Sequence, residues 1–482
     1  LSNKNVQGVS YTDVSHDYFE KRGLQRHASL FGLWALGIAA VISGDFSGWN
    51  FGIGEAGWGG LLIASLLVVA MYFGMIFSIG EMASALPHTG GAYSFARSAM
   101  GPWGGFVTGF AETIEYVATT GVVVFFSASY ADGITKELFN LSMPVWVWWI
   151  ILYAIFLAVN IAGVRTSFRF MEIVAVASLV VLGVFSVMAI FSGKFSVDNL
   201  FNIAPTDGNT EFLPFGFWAI IAAMPFAMWF FLGIEELPLA AEEAENPTRD
   251  IPKAGIRGLI TLCVTGILVL VLNPGITGAD QLKESGEPLL DGFRAILPNA
   301  DIAAILAAFA LIGLLASLQG IMFAYGRNIY SLSRAGYFPK VLSLTGTRKT
   351  PWIALVAGAI VGYCALLWAQ YGGEAAGAIV LNIAVWGAVL AYLLQMVSYL
   401  LLKSKYPNLN RPYKSPLGSM GAIVGGVIAA LIFIGQALNE GYRDAIIAIA
   451  VVYVIGLLGF ALFGRKKLVL SPEEAAAVKG HE

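Results

Sequence analysis

Apolar residues along this chain fall in long blocks separated by short polar turns, with neither strict alternation nor a single helical stripe. A helix needs about 20 apolar residues to cross the hydrocarbon core of a bilayer. Blocks of that kind run over 30–51, 57–80, 103–130, 145–163, 170–192, 214–236, 256–275, 301–330, 352–371, 376–401, 419–438 and 444–464. Breakers stand between them, such as Pro87-His88-Thr89-Gly90-Gly91 and Asn246-Pro247. The pattern predicts an all-α membrane protein with twelve transmembrane helices, called spans 1 to 12 below.

Composition strengthens that reading. Of 482 residues, 57% are hydrophobic and only 12% charged, whereas a soluble protein carries roughly 25% charged residues. Too few charges remain to cover a water-facing surface of this size, so lipid must solvate much of it. With both termini placed in the cytoplasm, the outer loops hold only Lys136, Lys194, Lys283, Arg294 and Arg443, which is 5 of the 28 basic residues. That asymmetry is the one expected for a protein of a bacterial inner membrane with an even number of spans. Net charge is -3 with no basic tract, which argues against nucleic acid as a partner. Cys263 and Cys364 lie in apolar runs and suggest no disulfide or thiol–metal site. His16, His27, His88 and His481 lie outside the spans and form no ligand pair, and no hydrolase or phosphate-loop motif is present. A membrane-embedded enzyme is therefore a poor reading, and no cofactor is expected. The N-terminus is polar through His27, so no cleavable signal peptide is expected, and the segment after Leu470 reads as a solvated tail.

The candidate chemistry lies where spans are interrupted. Span 1 contains Ile42-Ser43-Gly44-Asp45-Phe46-Ser47-Gly48-Trp49-Asn50, a carboxylate flanked by glycines in mid-span. An unpaired charge at that depth is costly by several kcal/mol. Ser43, Gly44, Ser47 and Gly48 weaken the helix around it, predicting a half-helix that ends near Gly44 and offers free carbonyls there. Span 6 carries Pro225 and Gly233 on either side of Trp229. Breaks in spans 1 and 6 fall at corresponding points of two five-span halves, the pattern of an inverted-repeat transporter with its site at the repeat interface. The implied organisation is an N-terminal segment 1–29, a first repeat 30–192, a second repeat 214–401, two further helices over 419–464 and a tail 465–482. In span 3, Glu112, Glu115, Tyr116 and Thr119 recur at spacings that put them on much of one helix face.

Several stretches in this order resemble the amino acid–polyamine–organocation superfamily over nearly the whole chain. They are the glycine-rich break in span 1, Pro87 to Tyr93, Phe231-Leu232-Gly233-Ile234-Glu235 running on to Glu242 through Pro252, and Arg327 through Pro339. The span 1 break together with Gly109-Phe110-Ala111-Glu112-Thr113-Ile114-Glu115-Tyr116 looks most like bacterial ethanolamine permeases. The resemblance implies a five-plus-five inverted repeat (LeuT-like fold) with helices 1 and 6 broken, and alternating access. It also implies that Trp229 is a gating aromatic, that Glu115 faces substrate, and that Glu112 and Glu235 belong to gating or coupling. Phe230, Leu232 and Gln319 complete the expected lining. Amino acid carriers of the superfamily usually offer free backbone N–H groups to a substrate carboxylate in the span 1 break, where Gly48-Trp49-Asn50 stand here. Those bulkier residues suit a substrate without a carboxylate. The expectation is thus a carrier of a small cationic amine, ethanolamine first and choline or related amino alcohols next, held by Asp45 and aromatic rings. The rival on the same fold is an amino acid exchanger or symporter. Proton-coupled relatives often carry a lysine in span 5 and 170–192 has none, so the coupling ion stays open between proton and sodium, as does the oligomeric state.

Overall fold

The computed structural model describes residues 7–15, 17–297, 299–371, 376–438 and 443–479. His16 and His481 lie outside the described residues, as do the first six and last three positions. Nine helices among the described residues are long and apolar enough to cross a membrane, and three shorter apolar helices accompany them. In chain order these twelve helices are α1 (Leu30–Phe46), α2 (Phe51–Ala85), α3 (Pro102–Phe139), α4 (Val145–Ile161), α5 (Val164–Phe191), α6 (Ala219–Met228), α7 (Pro247–Thr277), α8 (Ala300–Arg334), α9 (Trp352–Tyr371), α10 (Ala376–Lys405), α11 (Gly418–Leu438) and α12 (Arg443–Leu462). No strand occurs among the described residues, only the isolated bridges Tyr11–Leu468 and Ala28–Ala244. The chain is all-helical.

Local chemistry sets the helix ends. Ser29 caps α1, its hydroxyl accepting from the Gly32 N–H at 3.1 Å. Pro102 opens α3, where its missing N–H leaves nothing unpaired. The apolar block 30–51 is cut: α1 is regular to Val41, adds one separate turn over Ser43–Phe46 after Ile42, the chain then turns through Ser47–Asn50, and α2 begins at Phe51. Gly57, at φ +72°, kinks α2 and separates Phe51–Ala56 from the long helix beyond. Helix α6 ends at Met228, and a 3-10 turn over Ile234–Ala240 resumes after Gly233.

Helix α3 lies at the centre along α8 and α10, while α1 threads between α5, α7 and α8. Lipid is as apolar as leucine, so small residues that let backbones approach do much of the packing. Gly320 of α8 is one: a Cβ there would come within 2.7 Å of the Ala40 nitrogen in α1.

The tail is not a solvated strand of chain. Pro472–Lys479 is a helix whose Glu473 and Glu474 are fully buried. Glu474 accepts from the hydroxyls of Tyr11 (2.6 Å), Tyr93 (2.7 Å) and Tyr337 (2.9 Å) and from Arg97 Nε (2.7 Å). Arg334, at the end of α8, donates to Glu473 (2.5 Å) and to Glu242 beyond α6 (2.6 Å). The Thr12 N–H donates to the Leu468 carbonyl, so both terminal segments are joined at one end of the bundle. The expectation failed because an Ala/Glu-rich run looks solvated unless its distant donors are known. Against the penalty of burial, Arg334 holds the Glu242 carboxyl below its ordinary value. That stabilisation is present above the ordinary carboxylate range and lost as pH falls through the depressed value.

Removing one member of a buried charged pair costs about 3–5 kcal/mol. Glu474→Ala is therefore expected to lower the thermal midpoint of the detergent-solubilised protein sharply, with Glu474→Gln intermediate. An unchanged midpoint in the alanine variant would show that this carboxylate contributes nothing to the fold.

Candidate functional site at the breaks of α1 and α6

The two interrupted segments cross in near backbone contact. A Cβ on Gly44 would sit 1.9 Å from the Trp229 carbonyl oxygen, and one on Gly48 would sit 2.6 Å from the Trp229 ring. Only glycine fits at Gly44, and Gly48 turns the chain at φ +92°. The regular helix ends at Val41, and after Ile42 a single turn covers Ser43–Phe46, so the interruption lies close to its expected place. Gly44 sits in that turn and serves close approach; the Ile42 and Ser43 carbonyls accept from the Asp45 and Ser47 N–H groups at 3.0 Å. The Ser43 N–H donates to the Ser317 hydroxyl (2.8 Å), and the Phe46 carbonyl, at the end of that turn, is taken by the Tyr130 hydroxyl (2.8 Å). In the turn, the Gly48 N–H donates to Asn50 Oδ1 (3.1 Å), while Asn50 Nδ2 donates to the Leu282 and Ser285 carbonyls (2.7 and 2.8 Å).

Asp45 is buried, and neither carboxylate oxygen has a hydrogen-bond partner. The neighbouring Thr265 hydroxyl lies within side-chain hydrogen-bonding reach of Asp45, but its aligned acceptors are the Thr261 and Leu262 carbonyls at 3.3 Å. Asp45 Oδ1 and the Phe230 ring both face Gly266 of α7, 3.6 and 3.3 Å from where its Cβ would be. Phe230 stacks on Trp49 with ring centroids 5.7 Å apart. Asp45 thus packs against α7 at Gly266, with the Phe230–Trp49 pair next to the same glycine. Trp229 lies over Gly48, so the ring beside this carboxylate is Phe230, with Leu232 buried further along the same turn.

A second group of acids forms apart from Asp45. Glu115 accepts from the Tyr392 hydroxyl (3.1 Å), which meets the Tyr72 hydroxyl at 3.1 Å. Glu235, held by the Gly233 N–H (3.1 Å), lies within side-chain hydrogen-bonding reach of Glu115. Tyr116 donates to Glu112 at 3.4 Å, and the Thr119 hydroxyl is buried without a partner. One oxygen on each of Glu112, Glu115 and Glu235, and both on Glu236, lack a partner. Carboxylates only accept hydrogen bonds when ionised, so a facing pair in dry protein needs a shared proton or a cation between them. Gln319 does not join either group. Its amide is spent as a tie, accepting from Asn160 of α4 (3.0 Å) and donating to Ser167 of α5 (2.7 Å), which corrects its expected place in the lining. Tyr72 and Tyr392 escaped sequence reasoning because single tyrosines in apolar runs carry no spacing signal.

The family model for amino acid permeases matches residues 32–470. The chain belongs to the amino acid permease family. Similar proteins include an uncharacterized transporter of Rhizobium meliloti, 26% identical and covering 91% of each chain. The branched-chain amino acid permease of Bacillus subtilis is 26% identical over 92% of this chain and 94% of its own. The methylthioribose transporter of the same organism is 24% identical over 94% and 96%. The chain is accordingly a multi-pass membrane transporter for a small molecule.

In this permease the acidic run after α6 finds its basic partners in the last turns of α8. Glu243 is held by Arg327 at 2.8 and 3.3 Å, both residues fully enclosed, and Glu242 by Arg334. The end of the bundle that carries the termini is closed by these pairs.

The crossing at Gly44 generates a prediction. Gly44→Ala places a methyl against a carbonyl that cannot move without separating α1 from α6, and overpacking costs about 1–3 kcal/mol or more. Its thermal midpoint should fall well below wild type, while Gly183→Ala, whose added carbon meets nothing within 4 Å, stays unchanged. Equal midpoints for the two variants would mean the crossing is loose.

Proposed function

We propose that this permease is a secondary transporter that imports a small cationic amine, ethanolamine first, across a bacterial inner membrane by alternating access. In this reading all twelve helices span the bilayer as a five-plus-five inverted repeat plus two, with both termini cytoplasmic. The observation that carries it is Asp45: a buried carboxylate with both oxygens unpartnered, beside an aromatic ring, at the crossing of two broken helices. A lone carboxylate in that position is costly unless a proton or cation accompanies it. An ammonium group supplies charge and donors together, and an aromatic face adds about 0.5–2 kcal/mol for a desolvated cation. The second acid group, with Glu112, Glu115 and Glu235, serves the hydroxyl end of the substrate or the coupling ion, whether proton or sodium.

The rival reading, an amino acid as cargo, has the branched-chain relative in its favour. Against it stands Asn50, whose side chain takes the Gly48 N–H that a substrate carboxylate would use. The methylthioribose relative, named for a cargo with no carboxylate, fits a family not confined to amino acids.

Titrating the purified permease with ethanolamine, choline, alanine and putrescine while following thermal unfolding tests the reading. Ethanolamine should stabilise and alanine should not. Asp45→Asn should bind ethanolamine roughly tenfold to a hundredfold more weakly, the loss of a hydrogen bond to a charged group, with its ligand-free midpoint retained. Stabilisation by alanine alone would assign the rival cargo.

A further inference from the structure

Helix α12 is the least enclosed of the long helices, with 17% of its apolar window buried. Two recesses lie along one of its faces. The first, about 540 Å³, is walled by Phe110 of α3, Trp368 of α9, Ile383 of α10 and Val452 of α12. Thr113 and Cys364 are its only other non-aliphatic, non-aromatic side chains. The second, about 610 Å³, continues past Gly456, Gly459 and Phe463 and ends at Lys340 and Lys467. Phe338 lines both, and the Phe110 ring packs on Gly456 between them, so the second recess is the groove that reaches the two lysines. Val452, Gly456 and Gly459 follow each other three or four residues apart on one face of α12, and Phe463 and Lys467 lie in the turn beyond its end.

Length and charge say what fits. From Gly456 this groove follows the end of α12 and reaches Lys467 beyond it, a span that fits within one leaflet of a bilayer measuring about 40–45 Å with its headgroups. Its deep part is apolar and its end is cationic. Lys340 donates to the Thr12 hydroxyl at 3.1 Å, and among the described residues no carboxylate lies within ion-pair distance of Lys340 or Lys467. Burial and the neighbouring Arg22 and Lys467 push the Lys340 ammonium below its ordinary pKa, the sign of a cationic cluster without a counter-ion.

We propose that this groove is a binding site for an anionic phospholipid, one acyl chain lying along α12 and the headgroup phosphate between Lys340 and Lys467. Basic pockets between helices at the cytoplasmic surface recognise anionic headgroups in this way. The site is independent of the cargo proposed above and faces the bilayer, away from the crossing of α1 and α6.

The structure also supplies the test. A Cβ built on Gly459 meets nothing within 4 Å, so Gly459→Leu fills the groove without touching the protein. Native mass spectrometry of the full chain, offered equal phosphatidylglycerol and phosphatidylcholine of matched acyl chains, should show one retained phosphatidylglycerol and much less phosphatidylcholine. The double variant Lys340→Gln, Lys467→Gln should weaken phosphatidylglycerol retention by about thirtyfold, two lysines' worth of attraction. Gly459→Leu should lose both lipids at an unchanged thermal midpoint. Inorganic phosphate should not displace the adduct. Equal retention of the two lipids by wild type would overturn the proposal. So would an adduct that survives both variants, displacement by phosphate alone, or a protein dimer in place of the lipid-bound monomer.

Discussion

Everything at the centre of this molecule depends on α1 and α6 passing each other at backbone distance, Gly44 against the Trp229 carbonyl. A helix interrupted within a bilayer frees polar backbone groups that lipid cannot satisfy. Here three of the freed groups find protein partners: the Phe46 carbonyl has Tyr130, the Ser43 N–H has Ser317 and the Gly48 N–H has Asn50. Among the buried side chains at this crossing, Asp45 keeps both carboxylate oxygens without a partner. In the proposed cycle that is where a positive charge comes and goes.

Two carboxylate environments result, and they differ physically. Asp45 stands by itself against α7 and an aromatic pair, so one positive charge would satisfy it. Glu115 and Glu235 face each other with the Tyr392 and Tyr72 hydroxyls chained behind them. Mutual repulsion makes that pair sensitive to whatever enters or leaves between them. Separating a site for a fixed cation from a site for an exchangeable one gives a carrier two distinct handles, which fits the proposed cycle better than a single shared acid cluster.

The apolar blocks made the helices legible, because twenty consecutive apolar residues have few alternatives to a buried or membrane helix. The breaks were legible only to within a few residues. Glycine has two uses, permitting positive φ and permitting close approach, and both look the same in a sequence. Gly44 serves the second and Gly48 the first, so one short turn over Ser43–Phe46 follows the helix end at Val41 before the chain reverses. Gln319 misled for a related reason: an amide in an apolar helix advertises a partner without saying whether that partner is substrate or, as here, Asn160 and Ser167. The tail was illegible because its donors, Tyr11, Tyr93, Arg97 and Tyr337, come from four separate parts of the chain.

The closed end of the bundle shows the opposite logic from the centre. Glu242, Glu243, Glu473 and Glu474 are all paired, to Arg334, Arg327, Arg334 and Arg97. Buried pairs contribute little net stability compared with apolar packing of the same volume, yet breaking one is costly. Such contacts suit a surface that must be firmly shut in one state and cleanly parted in another, since separated charges regain their hydration once water enters. Arg334 grips both the segment after α6 and the C-terminal helix, so in the proposed cycle this end cannot open at one of them without also loosening its hold on the other.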